Sequence, residues 1–434
     1  MAARGVILAA PASGSGKTVL TLGLLRALSR QYPRIAAFKV GPDYIDPAFH
    51  AAATGRPSFN VDLWAMRPAT VAQILRRLDD AADLIIGEGV MGLFDGAADN
   101  SGSTADVAAL TGLPVVLVVD VRGQAASVAA LLRGFMGHRT DVPVAGVIFN
   151  RVGGPAHEAM LRQAVAPLGL PVLGAVPRDP ALALPDRHLG LVQAAEHDRL
   201  EEFVSHAARR LEATVDLQRL VALTRPLQLA EAGTGLATPP LGQRIAIARD
   251  TAFSFLYPAL LASWQQQGAE LSFFSPLADE APVDDADAVY LPGGYPELHG
   301  GRLAAAGQFK DCLLKAVTRG AAIYGECGGY MVMGEALVDA DGQRHAMAGL
   351  LPVATSFAQR RLHLGYRQVA LQADAAIGRA GQKFRGHEFH YATILQEDGE
   401  PLFGATNARG ESVGPMGLRR GRVAGSFCHL IDSA

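Results

Sequence analysis

A loop rich in glycine and serine carries the first residues that could do chemistry. The sequence APASGSGKT runs from Ala10 to Thr18 and joins a short apolar run to a helical pattern. Backbone N–H groups of such a loop point at phosphates, Lys17 can reach the terminal phosphates, and the Thr18 hydroxyl can ligate Mg²⁺. The alternative is an incidental Gly/Ser-rich turn. Asn150, which ends another apolar run, could read an adenine edge or simply cap a strand. The predicted ATP contacts are Ser13, Gly14, Ser15, Gly16, Lys17, Thr18 and Asn150.

Carboxylates follow two further apolar runs of the same half. Asp43 and Asp46 come just after one run, and Glu88 and Asp95 come just after another. Open parallel sheets bind ligands at the carboxyl ends of their strands, and Mg²⁺ beside phosphates takes one or two carboxylates. We therefore expect Thr18, Asp43 and Glu88 to hold Mg²⁺. Asp46 and Asp95 lie beside proline or glycine, where aspartate is also common as an ordinary turn residue.

Cys327 marks a second place where residue type and spacing indicate chemistry. It lies in the sequence YGECGGYM, whose small neighbours permit the sharp turn of a nucleophile elbow at the start of a helix. That helix terminus would lower the pKa of the thiol, and His429, which ends a later apolar run, is the natural base. Gly293 and Gly294 could supply N–H groups to an oxyanion. Alone, Cys327 could be a core residue and His429 an ordinary strand-end histidine; together they favour a Cys–His hydrolase.

The segment FRGHEFH, from Phe384 to His390, superficially resembles a metal-binding motif. It lacks the i, i+4 spacing of the helical zinc motif, and the sequence shows no strong third ligand. A contact with the substrate or with another domain is therefore the favoured interpretation. Cys312 and Cys428 are interpreted as core residues.

Short β-branched runs that alternate with helical patterns must position these residues. Such alternation is typical of a parallel sheet covered by helices on both faces, and Leu20–Leu28 is predicted to be the first helix. The predicted strands of the first half are Gly5–Ala10, Ile35–Val40, Leu84–Gly87, Val115–Asp120, Val144–Asn150 and Val172–Val176. Those of the second half are Ile245–Ala248, Ala288–Leu291, Ala321–Tyr324 and Val423–Phe427.

A stretch rich in proline and glycine, 226–242, interrupts this rhythm and is predicted to be a linker. It divides the 434 residues into an expected nucleotide-binding domain, 1–225, and a second domain, 243–434. A chain of this length is too long for one ordinary domain and suits two.

Composition limits the classes of protein that fit. The net charge is -3, which gives no bulk electrostatic attraction to nucleic acid or to a membrane surface. The longest central apolar run, Leu113–Val119, is much shorter than the ~20 residues that span a bilayer. Three cysteines are too few for a disulfide framework and favour a reducing compartment. We expect a cytoplasmic protein without a nucleic-acid or membrane partner.

Seven long motifs carry a resemblance to a known family. They are APASGSGKT, FKVGPDYIDPAFH, EGVMGLFDG, LPGGYPELH, YGECGGYMVMG, FRGHEFHY and GSFCHL. Over nearly its whole length the sequence resembles the cobyrinic (or hydrogenobyrinic) acid a,c-diamide synthases of cobalamin biosynthesis. The resemblance implies an α/β protein. A parallel-sheet P-loop domain like that of dethiobiotin synthetases, whose longer loop matches the one here, precedes a flavodoxin-like domain of the class I glutamine amidotransferase type.

The same resemblance implies ATP- and glutamine-dependent amidation of the c and then the a acetate carboxylates of a corrin ring, through acyl phosphates. It makes Cys327 the nucleophile and His429 its base. It also implies that Tyr44, Asp46 and Asp95 lie near the corrin carboxylates. The expected partners are ATP, with Mg²⁺, L-glutamine and the tetrapyrrole, and a homodimer fits the fold.

Class I glutaminases usually carry a glutamate two residues after the histidine. Ile431 stands there, with Asp432 one further on, so no third member of a triad is assigned. The rival functions are amidation of nickel-sirohydrochlorin or of further side chains, as in cobyric acid synthase, and an inactive glutaminase domain. A partner-switching ATPase is a further rival, but such proteins carry a signature lysine at the position that Ala12 occupies here. Whether the ring already carries cobalt stays open at this point.

Overall fold

The chain forms two compact units. The computed structural model describes residues 2–187, 190–229 and 238–434. Within these ranges the first unit contains 2–64, 68–187 and 191–229, and the second contains 65–67, 190 and 238–434. Residues 230–237, the centre of the predicted linker 226–242, lie outside the described residues. Among the helices that are described, none is long and apolar enough to cross a membrane.

The first unit is built on a parallel sheet. The strands up to the end of this part of the chain are β1 (Arg4–Ala9), β2 (Ile35–Val40), β3 (Phe59–Val61), β4 (Leu84–Glu88), β5 (Val115–Asp120), β6 (Val144–Val152), β7 (Val172–Pro177), β8 (Asp186–Arg187), β9 (Gly190–Leu191) and β10 (Arg225–Pro226). The sheet order is β3-β2-β4-β1-β5-β6-β7, all parallel, and β10 pairs antiparallel with β1. Because β2, β4 and β1 are neighbours, their carboxyl ends and the loops that follow them lie side by side.

Helices connect these strands, as parallel pairing requires. They are α1 (Lys17–Ser29), α2 (Asp46–Thr54), α3 (Pro68–Ala81), α4 (Thr104–Thr111), α5 (Ser127–His138), α6 (Pro155–Val165), α7 (Leu200–Thr214) and α8 (Leu217–Leu223). Helix α1 begins at Lys17, directly after the glycine-rich loop, and buries Leu20, Leu24 and Leu28. The first strand and first helix therefore flank the loop as the sequence predicts.

The second unit is built on a mixed sheet. Its strands are β11 (Arg244–Ala248), β12 (Glu270–Phe274), β13 (Ala288–Leu291), β14 (Ala322–Glu326), β15 (Ala336–Val338), β16 (Arg344–Ala346), β17 (Val353–Ser356), β18 (His363–Leu371), β19 (Lys383–His390), β20 (Thr393–Glu397), β21 (Glu400–Asn407), β22 (Ser412–Arg420), β23 (Val423–Ser426) and β24 (Cys428–Ser433). The main sheet has the order β12-β11-β13-β14-β23-β22-β21-β18-β19-β24. The first five strands are parallel and the rest antiparallel.

Four shorter strands and four helices complete the second unit. The strands β16, β15, β17 and β20 form a small separate sheet. The helices are α9 (Pro258–Gln266), α10 (Gly300–Ala305), α11 (Gly307–Thr318) and α12 (Gly328–Met333). Helix α12 packs between the main sheet and this small sheet, since its residues contact β13, β14 and β17.

The predicted class, a parallel-sheet P-loop domain followed by an α/β amidotransferase domain, is confirmed. One predicted strand is wrong at its end. Val423–Phe427 was expected to run unbroken to His429, but β23 ends at Ser426 and β24 begins at Cys428. Strand β23 pairs with β14, whereas β24 pairs antiparallel with β19. His429 therefore lies inside a second strand, at the point where the chain changes neighbours.

Candidate nucleotide and glutaminase sites

The glycine-rich loop is held in its shape by left-handed glycines and by Asn150. Gly14 has φ 74° and Gly16 has φ 88°, values that favour glycine. A Cβ at Gly16 would overlap the Asn150 amide, which donates from Nδ2 to the Ser15 carbonyl at 2.9 Å. The end of β6 thus supports the loop. The Lys17 Nζ donates to the Met91 carbonyl at 2.6 Å.

Beside the loop, strands β2 and β4 and the first turns of helices α1 and α2 bring a hydroxyl, two carboxylates and a lysine together. The Thr18 hydroxyl donates to Glu88 Oε1 at 2.7 Å and lies 3.4 Å from Asp46 Oδ2. Lys39 Nζ donates to both carboxylates, at 2.9 Å in the case of Glu88 Oε1. His50 Nε2 lies 2.7 Å from the other Glu88 oxygen. Glu88 is therefore the meeting point of the cluster, and it is fully buried.

The charges of this cluster are unequal. Burial and the neighbouring Asp43 raise the pKa of Asp46 well above its ordinary value. Burial alone would raise the pKa of Glu88, but Lys39 and His50 hold it well below its usual range. Despite burial, Asp46 and Glu88 raise the pKa of Lys39, so the lysine stays protonated. Glu88 is therefore the carboxylate of this cluster that stays ionised, and an ionised carboxylate oxygen is the kind of ligand that Mg²⁺ prefers.

Lys39 is a residue that the sequence analysis did not identify. The sequence does contain a pattern that could have indicated it, because this lysine lies inside the otherwise apolar strand IAAFKV. A charged side chain that is 3% exposed must be paired, and this one bonds both Asp46 and Glu88. Asp46 lies at the start of helix α2 and Glu88 at the end of strand β4, so their spacing along the chain does not reveal that both contact Lys39.

The remaining predicted residues of this half lie in turns around the cluster. Asp43 Oδ1 accepts the N–H groups of Ile45, at 2.8 Å, and Asp46, at 3.1 Å. Asp95 Oδ2 accepts the Gly92 N–H at 2.8 Å. Each carboxylate therefore orders the turn in which it lies and keeps its second oxygen for other partners. Tyr44 is buried, with 5% of its surface exposed.

In the second unit, Cys327 lies in a strained turn between β14 and α12. Its φ of 46° and ψ of -105° are costly for a residue with a side chain. The turn is closely covered: a Cβ at Gly329 would overlap the Leu291 carbonyl, and one at Gly328 would lie 2.9 Å from the Gly294 nitrogen. The nucleophile elbow and the Gly293–Gly294 turn after β13 are therefore in direct contact.

His429 faces the same turn. A Cβ at Gly293 would overlap its imidazole, and the Phe255 ring lies 6.2 Å from it, centroid to centroid. Both His429 and Cys327 are fully buried. The structure thus brings Cys327, His429, Gly293 and Gly294 together, although His429 follows the other three by more than a hundred residues in sequence.

Burial also sets the charge of this pair. It lowers the pKa of His429 to about 3, so the ring is neutral at neutral pH and can accept a proton. It raises the pKa of the Cys327 thiol well above its ordinary value, with Glu297 adding to the effect. The expectation that the helix terminus lowers this pKa is therefore wrong. Helix α12 has only six residues, and desolvation outweighs its dipole.

The segment FRGHEFH forms most of β19 and contributes to a histidine–carboxylate cluster. Potential ligand atoms of His363, Glu388 and His390 lie within 4.8 Å of one another. The sequence was expected to offer no third ligand, and His363 on the neighbouring strand corrects that expectation. The carboxylate is already engaged, because Arg367 donates to Glu388 Oε2 through Nε at 2.8 Å and approaches it through Nη2 at 2.7 Å. An arginine pair neutralises the charge that a metal ion would need.

Comparison with known proteins gives one family model for each part of the chain. Residues 6–192 match the CobQ/CobB/MinD/ParA nucleotide binding domain. Residues 244–434 match the CobB/CobQ-like glutamine amidotransferase domain. The glycine-rich loop and the Thr18–Glu88 cluster lie in the first match, and Cys327 and His429 lie in the second.

Similar proteins match from end to end. The chain is 55% identical over 436 residues to the hydrogenobyrinate a,c-diamide synthase of Brucella suis, covering 99% of this chain and 98% of that protein. It is 56% identical over 433 residues to the one from a Sinorhizobium species, covering 99% of each. It is also 56% identical over 434 residues to the one from Rhizobium meliloti, again covering 99% of each.

These matches define the class first: the protein is a glutamine-dependent, amide-forming ligase that joins a nucleotide-binding domain to a glutamine amidotransferase domain. More narrowly, the chain belongs to the family of the hydrogenobyrinate a,c-diamide synthases.

Proposed function

We propose that this protein converts the c and then the a acetate carboxylates of hydrogenobyrinic acid into amides, with ATP and glutamine, in cobalamin biosynthesis. The observation that carries the proposal is the full-length match, at 55% identity, to a protein named for that reaction. The rival substrate, nickel-sirohydrochlorin, is not in the name of any of the three relatives described above. We assign ATP and corrin binding to residues 1–225 and glutaminase activity to 243–434, with 226–242 as the linker.

ATP would bind at the glycine-rich loop. The backbone of Ser13, Gly14, Ser15 and Gly16 would face the phosphates, and Lys17 would leave the Met91 carbonyl to reach them. Asn150 already contacts the loop at Ser15, and we propose that it reads an adenine edge. The γ-phosphate would then lie near the carboxyl ends of β1, β2 and β4.

Mg²⁺ fits the residues beneath that loop. Thr18, Asp43 and Glu88 are the proposed ligands, since the Thr18 hydroxyl and Glu88 are already 2.7 Å apart and Asp43 lies on the turn after β2, the strand next to β4. Glu88 is ionised, and an ionised carboxylate favours a divalent cation. When bound, Mg²⁺ would neutralise charge on the transferred phosphoryl group.

The corrin carboxylates would approach from the same turns. Tyr44, Asp46 and Asp95 are the proposed substrate contacts. Asp46 lies next to Thr18 and Lys39, so a carboxylate brought beside it would be close to the γ-phosphate and to a fixed positive charge. Asp95 is held by the Gly92 N–H in the loop that also supplies the Met91 carbonyl to Lys17.

Activation makes the carboxylate reactive. A substrate carboxylate oxygen attacks the γ-phosphorus, the bond to the β,γ-bridging oxygen breaks, and ADP and an acyl phosphate form. Lys17 spreads the charge of the transferred group. Ammonia then attacks the acyl carbon, phosphate leaves, and the ammonium proton is lost to solvent, which yields the amide.

Ammonia would come from glutamine at Cys327. His429 takes the thiol proton, sulfur bonds to the side-chain amide carbon, and the oxyanion lies near the N–H groups at Gly293 and Gly294. His429 returns the proton to the leaving nitrogen, ammonia departs, and water hydrolyses the thioester to glutamate. Because both residues are fully buried, glutamine binding must displace the side chains that cover them.

Product analysis tests the proposal. The enzyme is incubated with ATP, Mg²⁺ and glutamine whose side-chain amide carries heavy nitrogen, together with hydrogenobyrinic acid, cobyrinic acid or nickel-sirohydrochlorin in separate reactions. We expect hydrogenobyrinic acid to gain two labelled amides, seen by mass spectrometry, and no product with Lys17→Ala. Amidation of nickel-sirohydrochlorin alone, or products without the label, would contradict the proposal.

A further inference from the structure

A carboxylate lies directly before the nucleophile in sequence and close to His429 in the fold. Glu326 is the last residue of β14, and its Oε2 lies 3.9 Å from His429 Nδ1. Glu326 is 1% exposed and His429 is fully buried. At that depth a charge on one group acts strongly on the other, because little solvent screens the pair.

The Glu326 carboxylate is fixed in place by two donors. The Leu430 N–H donates to Oε1 at 3.0 Å, and the Tyr290 hydroxyl donates to Oε2 at 2.7 Å. Leu430 follows His429 in β24, so the first bond ties the carboxylate to the strand that carries the imidazole. The oxygen that faces His429 keeps a second lone pair for the ring N–H.

The geometry points to Glu326 as a positioning residue that orients His429 and stabilises its imidazolium while Cys327 reacts. It would replace the glutamate that class I glutaminases carry two residues after the histidine, where this chain has Ile431. The inference deepens the proposed function, since it rests on Cys327 and His429 acting on glutamine.

The charge on the imidazole explains why such a residue is needed. The thiol proton moves from Sγ to His429 Nε2, and the ring stays protonated until that proton passes to the leaving amide nitrogen. A carboxylate at Nδ1 holds the tautomer that leaves Nε2 free to accept and opposes the positive charge that forms. No atom of Glu326 is transferred, so its effect is exerted only through His429.

The same geometry has a pH signature. Burial raises the pKa of Glu326 to about 7, against the lowering effect of the bonds from Leu430 and Tyr290. Below that pH the Glu326 carboxyl is protonated and cannot stabilise the positive charge of the His429 imidazolium. Above that pH the carboxyl is ionised and can stabilise it. Glutaminase activity should therefore rise as the pH rises through about 7. The other titratable groups that face Glu326 or His429 are Tyr290, Tyr324, Cys327, Cys428, His387, Glu388 and His390.

The experiment compares the full-length wild type with Glu326→Gln, which keeps the shape and the acceptor oxygen but removes the charge. Glutaminase kcat/KM and the rate of Cys327 alkylation by iodoacetamide, followed by peptide mass spectrometry, are measured from about pH 5.5 to about 8.5, because kcat/KM reports groups of the free enzyme. We expect kcat/KM to fall ~10-fold or more at the alkaline end, with loss of the inflection near neutrality.

The matched control is Glu397→Gln. Glu397 accepts a hydrogen bond from the Tyr330 hydroxyl at 2.5 Å in the same unit, so it is a second carboxyl–tyrosine pair, here half-buried, and its variant should keep the wild-type profile. A Glu326→Gln enzyme with wild-type kcat/KM and an unchanged inflection would overturn the inference. If instead Cys327→Ala loses no glutamine-dependent activity, the proposed function itself has failed, and the two failures are distinguishable.

Tyr290→Phe gives a second measurement if Glu326→Gln does not fold. Removing the hydroxyl removes a bond that lowers the pKa of Glu326, so the inflection in kcat/KM should move to higher pH. Ammonium-dependent synthesis should be unchanged, which shows that the protein is intact. An inflection that stays in place would overturn the inference, because a purely structural Glu326 has no reason to set the pH profile.

Discussion

Glu88 is the residue on which the buried charges of the first unit converge. It bonds Thr18, Lys39 and His50, and all three bonds use its ionised oxygens. Charge-assisted bonds of this kind hold the end of β4 against the start of α1. A carboxylate in this position would serve two purposes: it orders the side chains of Thr18, Lys39 and His50, and it can offer an oxygen to a cation.

Replacement of Glu88 by glutamine therefore tests the metal assignment. Glu88→Gln should lower Mg²⁺-dependent ATP hydrolysis by at least ~10-fold and raise the Mg²⁺ concentration at half-maximal rate, because a full negative charge is lost. Steady-state ATPase assays across a Mg²⁺ titration measure both effects.

The control is Glu158→Gln, a half-buried residue of α6 that pairs with Arg162, and the variant should behave like the wild type. Identical Mg²⁺ responses in Glu88→Gln and the wild type would show that the cation is held elsewhere.

Residues next to glycine-rich turns could be identified from the sequence, because a turn that exposes a nucleophile or a phosphate site has its own local pattern. Lys17 and Cys327 belong to this group, whereas His429 is proposed because it ends an apolar run. Lys39 and Glu326 could not be identified, since their importance comes from partners on other strands. No local pattern encodes such a contact.

Among the elements, the elbow between β14 and α12 is the one most constrained by close packing of the backbone. The strained φ of Cys327 is maintained because the first turn of α12 lies against the end of β13. Gly329 is the point of closest approach, and a Cβ there would overlap the Leu291 carbonyl. Since backbone cannot move as a flexible side chain can, the element tolerates nothing larger than glycine here.

We expect Gly329→Ala to destabilise the glutaminase unit by roughly 1–3 kcal/mol, as overpacking does, and to lower glutaminase activity by displacing Cys327. Thermal unfolding and glutamate release measure the two effects. Gly307→Ala is the matched control, because a Cβ at Gly307, at the start of α11, meets nothing within 4 Å. Equal stability and activity in the two variants would contradict the packing argument.

The elements differ in how well the sequence predicts them. The buried parallel strands are continuous apolar runs, and β2, β5 and β13 have the predicted bounds. The antiparallel strands β18 to β22 were not predicted, because they carry glycine, proline and charged residues and lie partly exposed. The break at Phe427 was also missed, since an apolar run gives no sign of where a strand changes neighbours.

At the scale of the whole molecule, each unit contains the residues for one half of an amidation. A carboxylate does not react with ammonia unless it is activated, and glutamine does not release ammonia without a nucleophile. The first unit offers a phosphate loop and a cluster suited to Mg²⁺, and the second offers a thiol, a neutral imidazole and backbone donors. A division into two domains is predicted from chain length and from the stretch 226–242, which is rich in proline and glycine.

The most direct test of this division of labour is a synthesis assay on Cys327→Ala and Lys17→Ala, with glutamine or with an ammonium salt. We expect Cys327→Ala to make no product from glutamine but to keep ammonium-dependent synthesis within about threefold of the wild type. The ammonium-dependent rate should increase as the pH rises, because more NH₃ forms. Lys17→Ala should lose both activities, because no carboxylate is activated. A folded Cys327→Ala protein that cannot use ammonium, or that still uses glutamine, would contradict the account.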